Sequence, residues 1–240
     1  MTGKNVLPRR RTGVLIGRPE PGLSETMEAV RALGWIPYAA PALTIEPRVI
    51  RRQTGIAAVL LTSSQALPAL AGAVGSDVPV FTVGDATARR VRAVGFRSVE
   101  SAGADAVALV GLVRSRVAPA PVLLLSGAGQ GLDLALALRQ AGFIVRRRVA
   151  YAATPVRDLP VRVLNALRAD EIGVVMAFSA RSAAATGAAL RASGYSGERM
   201  HGIAISENAA FALKKNDITD VVVAWRPDAE AMLAALGSVF

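Results

Sequence analysis

Residues 122–143, VLLLSGAGQGLDLALALRQAGF, decide the architecture. Val122 to Leu125 is apolar throughout rather than alternating, so both faces of this short strand are covered, as in a parallel sheet. A turn of small residues from Ser126 to Gly131 follows, and from Leu132 apolar residues recur at helical spacing until Gly142. Strand, small turn and amphipathic helix make one unit of a parallel α/β fold. Working outward, five more such units stand along the chain: VLIGRPEPGLSETMEAVRALG from Val14, AAVLLTSSQALPALAGAVG from Ala57, VFTVGDATARRVRAVGF from Val80, GVVMAFSARSAAATGAALRASG from Gly173 and GIAISENAAFALKK from Gly202.

These units pair. ISENAA echoes TVGDATA, FSARSAAA echoes LTSSQALPA, and the first and fourth units both end in Gly-aromatic-Ile, a second strand and a Pro-containing exit. The chain therefore reads as two related parallel-sheet α/β halves. Their order, with three units lying between the two exits, implies that one domain is inserted in the other. The outer domain is expected over 13–43 and 155–240 and the inner over 46–150, with residues 1–12 a disordered basic tail holding Arg9, Arg10 and Arg11. A C-terminal strand (Val221 to Ala224) and helix (Asp228 to Leu236) complete the outer domain. The exits around Pro41 to Pro47 and Val149 to Pro155 form two linker strands, which implies a cleft with hinge freedom.

Composition narrows the chemistry. The 240 residues include no cysteine and one histidine, His201, which removes disulfides, thiolate nucleophiles and Cys/His metal sites, and no metal is expected. Twenty-eight Lys and Arg against 18 Asp and Glu give +10, a field that attracts polyanions. Only 5% of residues are aromatic, without basic-aromatic interleaving, so nucleic acid is not an expected partner. No stretch reaches about 18 unbroken apolar residues and the N-terminal apolar run is too short for a signal peptide, so a cytoplasmic protein with no membrane contact is expected.

In open parallel sheets ligands bind beyond the carboxyl ends of the strands. The residues there are Arg18, Thr62-Ser63-Ser64, Gly84-Asp85 with Thr87, Ser126-Gly127, Ser179-Ala180-Arg181 and Ser206. Each hydroxyl or carboxylate taken singly is an ordinary helix cap. Together, six helix N-termini, three per domain, offer main-chain N–H groups and positive dipole ends to an anion, and a polycarboxylate fits them. The turn Gly127 to Gly131 lacks the spacing and lysine of a phosphate loop and reads as a tight turn. Arg146, Arg147 and Arg148 fit a solvated edge strand or a substrate funnel equally. Tyr151 falls in the second linker, where packing and a hydroxyl directed to the cleft are both open. His201 precedes a strand as a surface residue, and Asp85 and Glu207 are first-turn carboxylates with capping as the default.

The order and spacing of GRP, PALTIEP, LTSSQAL, FTVGDATARRVRAVGF, VLLLSGAGQG, VAYAATP, AFSARSA and ISENAAFAL resemble the uroporphyrinogen-III synthase family over nearly the whole chain after the tail. The resemblance implies two flavodoxin-like domains, one inserted in the other. It implies a cyclising hydro-lyase of haem and tetrapyrrole biosynthesis, acting without cofactor on hydroxymethylbilane, a linear tetrapyrrole with eight carboxylates. Closure with loss of water and inversion of the last ring, through an azafulvene and a spirocyclic intermediate, would give uroporphyrinogen III. The family's linker tyrosine, proposed to help the hydroxyl leave, matches Tyr151, and the threonine of its GxATA turn matches Thr87. Its TS and FS turns match Thr62-Ser63 and Phe178-Ser179. Where several members carry a threonine-rich turn, this chain has Ser206-Glu207-Asn208, which leaves that turn a main-chain role. Arg18 and Arg181 would pair with substrate carboxylates. A monomer receiving substrate by transient handover from hydroxymethylbilane synthase is expected. The alternative, from a different class, is a non-catalytic two-domain binding protein for a polyanionic small molecule.

Overall fold

Strands form where Val, Ile and Leu run together between turn residues, because branched side chains suit a pleated surface covered on both sides. The computed structural model describes residues 11–239. Over these the chain divides into two compact units, residues 11–44 with 155–239 and Ile45–Thr154. The first unit opens with β1 (Gly13–Ile16), α1 (Gly22–Ala32) and β2 (Ile36–Ala39), and β3 (Leu43–Pro47) carries the chain into the second. There follow β4 (Ala58–Leu61), a 3-10 turn at Ser64–Ala66, α2 (Leu67–Ala73), β5 (Val80–Thr82), α3 (Asp85–Ala93), β6 (Val99–Ser101) and α4 (Ala106–Arg116). The second unit ends with β7 (Pro121–Gly127), α5 (Leu132–Gln140) and β8 (Ile144–Pro155). The chain then re-enters the first unit through α6 (Val161–Arg168), β9 (Ile172–Ala177), α7 (Ala180–Ala192), β10 (His201–Ala204), α8 (Glu207–Lys214), β11 (Val221–Val223) and α9 (Ala229–Gly237).

The first unit's sheet has the order β11-β10-β9-β1-β2, with parallel neighbours throughout. Counted within the unit this is the flavodoxin-like order 2-1-3-4-5. The second sheet has the order β3-β8-β7-β4-β5-β6. Counting from β7 gives the same order over β8, β7, β4, β5 and β6, with β3 added at the edge. The repeat pairs read from the sequence thus occupy equivalent strands: FSARSAAA follows β9 as LTSSQALPA follows β4, and ISENAA follows β10 as TVGDATA follows β5.

The first unit's sheet separates two cores. On β1, Leu15 packs with Val163 and Leu167 of α6, Leu190 of α7 and Leu213 of α8. Its neighbours Val14 and Ile16 point the other way, onto Leu23 and Val30 of α1 and Met232 and Leu236 of α9. In the second unit Leu60 and Leu124 pack with Leu109 and Val113 of α4 and Leu134 and Leu138 of α5. Burying each such leucine contributes roughly 1.5–3 kcal/mol, which is what holds helices to both faces. Where α7 meets the turn after α8 the contact requires glycine: a Cβ on Gly187 would run into the Asn216 side chain, which is itself fixed by donation from Nδ2 to Ala212 O (2.7 Å).

Three elements go beyond the sequence expectation. Strand β6 is only Val-Glu-Ser with Val99 its one buried residue, α4 is apolar over most of its circumference, and α6 is eight residues between Pro160 and Asp170. Arg11 departs from the solvated tail. Its Nε donates to Asp170 Oδ2 (3.0 Å) and its Nη1 to Arg199 O (2.6 Å). An Asp in the turn ahead of β9 is what recruits it. Arg9 and Arg10 lie outside the described residues.

Candidate active site

In the second unit, strands β7, β4 and β5 are neighbours, so their carboxyl ends bring Ser126-Gly127, Thr62-Ser63-Ser64 and Gly84-Asp85 side by side. Ser63 caps the 3-10 turn ahead of α2, its Oγ accepting from Gln65 N (3.3 Å). Ser64 Oγ accepts from Arg90 Nη1 (3.3 Å), which ties that turn to α3. Thr82 Oγ1 donates to Gly84 O (3.1 Å), fixing the extended residue from which α3 starts. Asp85 is exposed in the first turn of α3, whereas Thr87 in the same turn is buried.

Tyr151 is placed by a change of register. Strands β7 and β8 pair Ser126 with Val149 but Gly127 with Tyr151, so one extra residue of β8 bulges and sets the tyrosine opposite the last residue of β7. Its ring lies over Gly127, where a Cβ would come within 2.8 Å of the tyrosine Cζ. The hydroxyl donates to Gln130 Oε1 (3.2 Å). The carbonyl of Gln130 accepts twice, from Ser126 Oγ (3.1 Å) and from Arg147 Nη1 (3.0 Å). The Gly127 to Gly131 turn is therefore a fixed seat for a buried phenol, 5% exposed, and not a phosphate loop. Gln130 is the residue that sequence reasoning missed, and Arg147, left open between a solvated edge and a funnel, is tied to this turn. The signal was the single polar residue in an otherwise Gly/Ala turn.

In the first unit β1, β9 and β10 are neighbours and gather Arg18, Ser179-Ala180-Arg181 and Ser206. Ser179 caps α7, accepting from Ser182 N (3.1 Å), and Ser206 caps α8, accepting from Ala209 N (3.4 Å). Arg18 is held over the Phe178 ring, Cζ 4.5 Å from the centroid, and its Nη1 donates to Thr26 Oγ1 (3.2 Å). It covers the start of α1, since a Cβ on Gly22 would meet its guanidinium. The six helix starts are thus unequal: an anion approaching α1 meets a guanidinium first, α2 begins only after the 3-10 turn and α5 only after the Gly127 to Gly131 turn, and α3, α7 and α8 open directly beyond their strands. Arg181 is exposed on the first turn of α7.

Away from these ends, His201 starts β10 at its amino end and its Nδ1 lies 2.6 Å from Asp220 Oδ2. Tyr38 resembles Tyr151 in its YAAP context but sits lower on its sheet, opposite Leu15. Its hydroxyl donates to Glu171 Oε2 (2.6 Å), and burial together with that bond raises its pKa above 10.0. Among the described residues no cluster of three or more His, Cys, Asp or Glu could hold a metal, and no helix is long and apolar enough to cross a membrane.

Two parallel units of one topology, the second permuted and inserted into the first, define the chain as a duplicated flavodoxin-like α/β protein with its polar residues at the carboxyl strand ends. A family model described as Uroporphyrinogen-III synthase HemD matches residues 24–234, and the chain belongs to the uroporphyrinogen-III synthase family, enzymes of haem biosynthesis. Solved structures agree in fold. Uroporphyrinogen-III synthetase from Helicobacter pylori superposes with a TM-score of 0.66 at 17% identity, covering 95% of this chain and 99% of that one. A mutant uroporphyrinogen III synthase from Thermus thermophilus gives 0.50 at 17% identity, covering 93% and 96%. A search of curated sequences gives no match. Nothing among these similarities favours a binding protein without chemistry.

Proposed function

We propose that this chain is a hydro-lyase that cyclises hydroxymethylbilane to uroporphyrinogen III, with Tyr151 as the acid. The observation that supports the assignment is the seat of Tyr151 opposite the carboxyl end of β7, buried, with its hydroxyl against Gln130 and its ring on Gly127. The terminal pyrrole of the bilane pushes out its hydroxyl, and the phenol supplies the proton with which that hydroxyl leaves as water. The resulting azafulvene carbon is attacked by the substituted carbon of the last ring, at the other end of the chain, giving the spirocycle; the older bond from that carbon to its bridge then breaks, leaving a second azafulvene that the ring's free carbon attacks, so that the ring is inverted. The proton released as the ring regains aromaticity returns to the phenolate, so the net loss is one water.

Holding the bilane in that geometry is the larger part of the task, because the free carbon of the last ring is the less hindered nucleophile. Carboxylates are taken by the first-turn N–H groups that the caps of α3, α7 and α8 leave over, and by Arg18 and Arg181. Ser179 and Ser206 fix the starts of α7 and α8 with their hydroxyls, as Ser63 fixes the 3-10 turn ahead of α2, so these serines bind through main chain. The protein acts as a cytoplasmic monomer and takes its unstable substrate by transient handover from hydroxymethylbilane synthase.

Tyr151→Phe tests the assignment. Single-turnover kinetics are expected to slow by about 10²-fold, the lower range of general acid catalysis, with KM little changed. An unchanged rate in the folded variant would remove Tyr151 as the acid.

A further inference from the structure

A second group of cations in the second unit lies beside β8, between that strand and the segment after β3. The segment joining β3 to β4 is not helix or strand, yet it is fixed: Arg48 N donates to Ala150 O (2.8 Å), Ile50 is buried, and Gln53 N donates to Ala73 O (2.7 Å). From the other side Arg146 on β8 ties it down, Nη1 donating to Thr54 O (3.0 Å). Between this segment and β8 runs an open groove of about 380 Å³ whose polar lining is Arg48, Arg51, Gln53 and Arg148. No Asp or Glu lines it. The three arginines are exposed and none has a carboxylate partner among the described residues; Arg148 donates only to Arg147 O (3.1 Å). Glu46, near in sequence on β3, lies outside the lining.

Three guanidiniums gathered in a concave surface repel one another and raise the local potential, an arrangement that an anion relieves. We propose that this groove is a binding site for carboxylates and that, on the synthase reading on which the inference rests, it holds carboxylate arms of the bilane beyond those taken at the strand ends. The strand placing Arg148 is the strand that places Tyr151, and Ala150, which accepts from Arg48, is its neighbour. A substrate arm in the groove would therefore lie along the element carrying the acid. Guanidinium forks suit paired carboxylate oxygens.

The test is the R48E/R51E/R148E variant of the full chain. KM for hydroxymethylbilane is expected to rise about ten-fold or more with kcat within about two-fold, the pattern of lost uniform binding, and log(kcat/KM) is expected to fall less steeply with log salt. R48K/R51K/R148K should recover most of the loss, and R48Q/R51Q/R148Q gives the same comparison if the reversed charges unfold the chain. Fluorescence titration with the octacarboxylate uroporphyrin I reads affinity without turnover and should weaken about ten-fold as well. Unchanged KM and affinity in a folded variant, while the parent makes the type III isomer, would overturn the groove and spare the synthase reading. A parent that makes no type III isomer, but binds uroporphyrin I through these arginines, would overturn the synthase reading and spare the groove. Displacement of uroporphyrin I by inorganic tripolyphosphate at lower concentration than by citrate would overturn the carboxylate assignment.

Discussion

Gly127 is where the proposed chemistry depends on a missing atom. A methyl group there would lie 2.8 Å from Tyr151 Cζ and 2.9 Å from Gln130 Oε1, so one carbon displaces both the phenol and its partner. Gly127→Ala is expected to cost roughly 1–3 kcal/mol of stability through overpacking and to lower kcat towards that of Tyr151→Phe. In the double variant the two losses should not add, because both act on one hydroxyl. Additive losses in a double-mutant cycle would separate the glycine from the tyrosine's role. In the sequence, Tyr151 stands out by family resemblance alone; its neighbouring residues are explained equally well by packing. What the sequence could not display is the bulge that puts it opposite Gly127, since a one-residue change of register leaves no mark on an apolar strand. Gln130 stayed hidden for a related reason: its acceptors are the amide oxygen and a backbone carbonyl, and a motif records neither.

The helix starts decide how much anion-binding capacity the elements retain, and α9 shows what one cap contributes. Burial opposes ionisation of Asp228, but the N–H of Ala231 and the Arg226 guanidinium outweigh it and hold the carboxyl below its ordinary 3.8. A depressed native-state pKa stabilises the fold above the unfolded value and is lost as pH falls through the native one. Asp228→Ala is therefore expected to cost about 1 kcal/mol and lower Tm by about 2–4 °C at pH 7. The two proteins should converge in melts run progressively below pH 3.8. A gap that persisted in acid would mean that the residue acts by packing rather than as an ionised cap. Most elements were legible because their runs are continuous, as in Val122 to Leu125, and their turns carry caps, as in Ser179 and Ser206. The misses were β6, too short to show a period, and α4, whose Val107-Ala-Leu-Val110 gives no amphipathic stripe. Arg11 was missed because its partner, Asp170, is distant in sequence.

For the whole molecule the informative feature was chain order: two second-strand exits at residues 34–47 and 142–155, with three units between them, imply insertion of one half into the other. The two sheets carry that as one strand order, continuous in residues 155–239 with 11–44 and permuted in Ile45–Thr154. A net charge of +10 facing an octa-anion makes association electrostatic, so kcat/KM is expected to fall steeply between low and physiological salt while kcat stays nearly constant. A salt-independent kcat/KM would place recognition in uncharged contacts. The most direct measurement is of product geometry. Freshly generated hydroxymethylbilane is incubated with and without the protein, the products are oxidised, and the type I and type III uroporphyrins are resolved by chromatography. The account predicts predominantly type III, in proportion to added protein. Type I alone, formed at the spontaneous rate in the presence of folded protein, would contradict it.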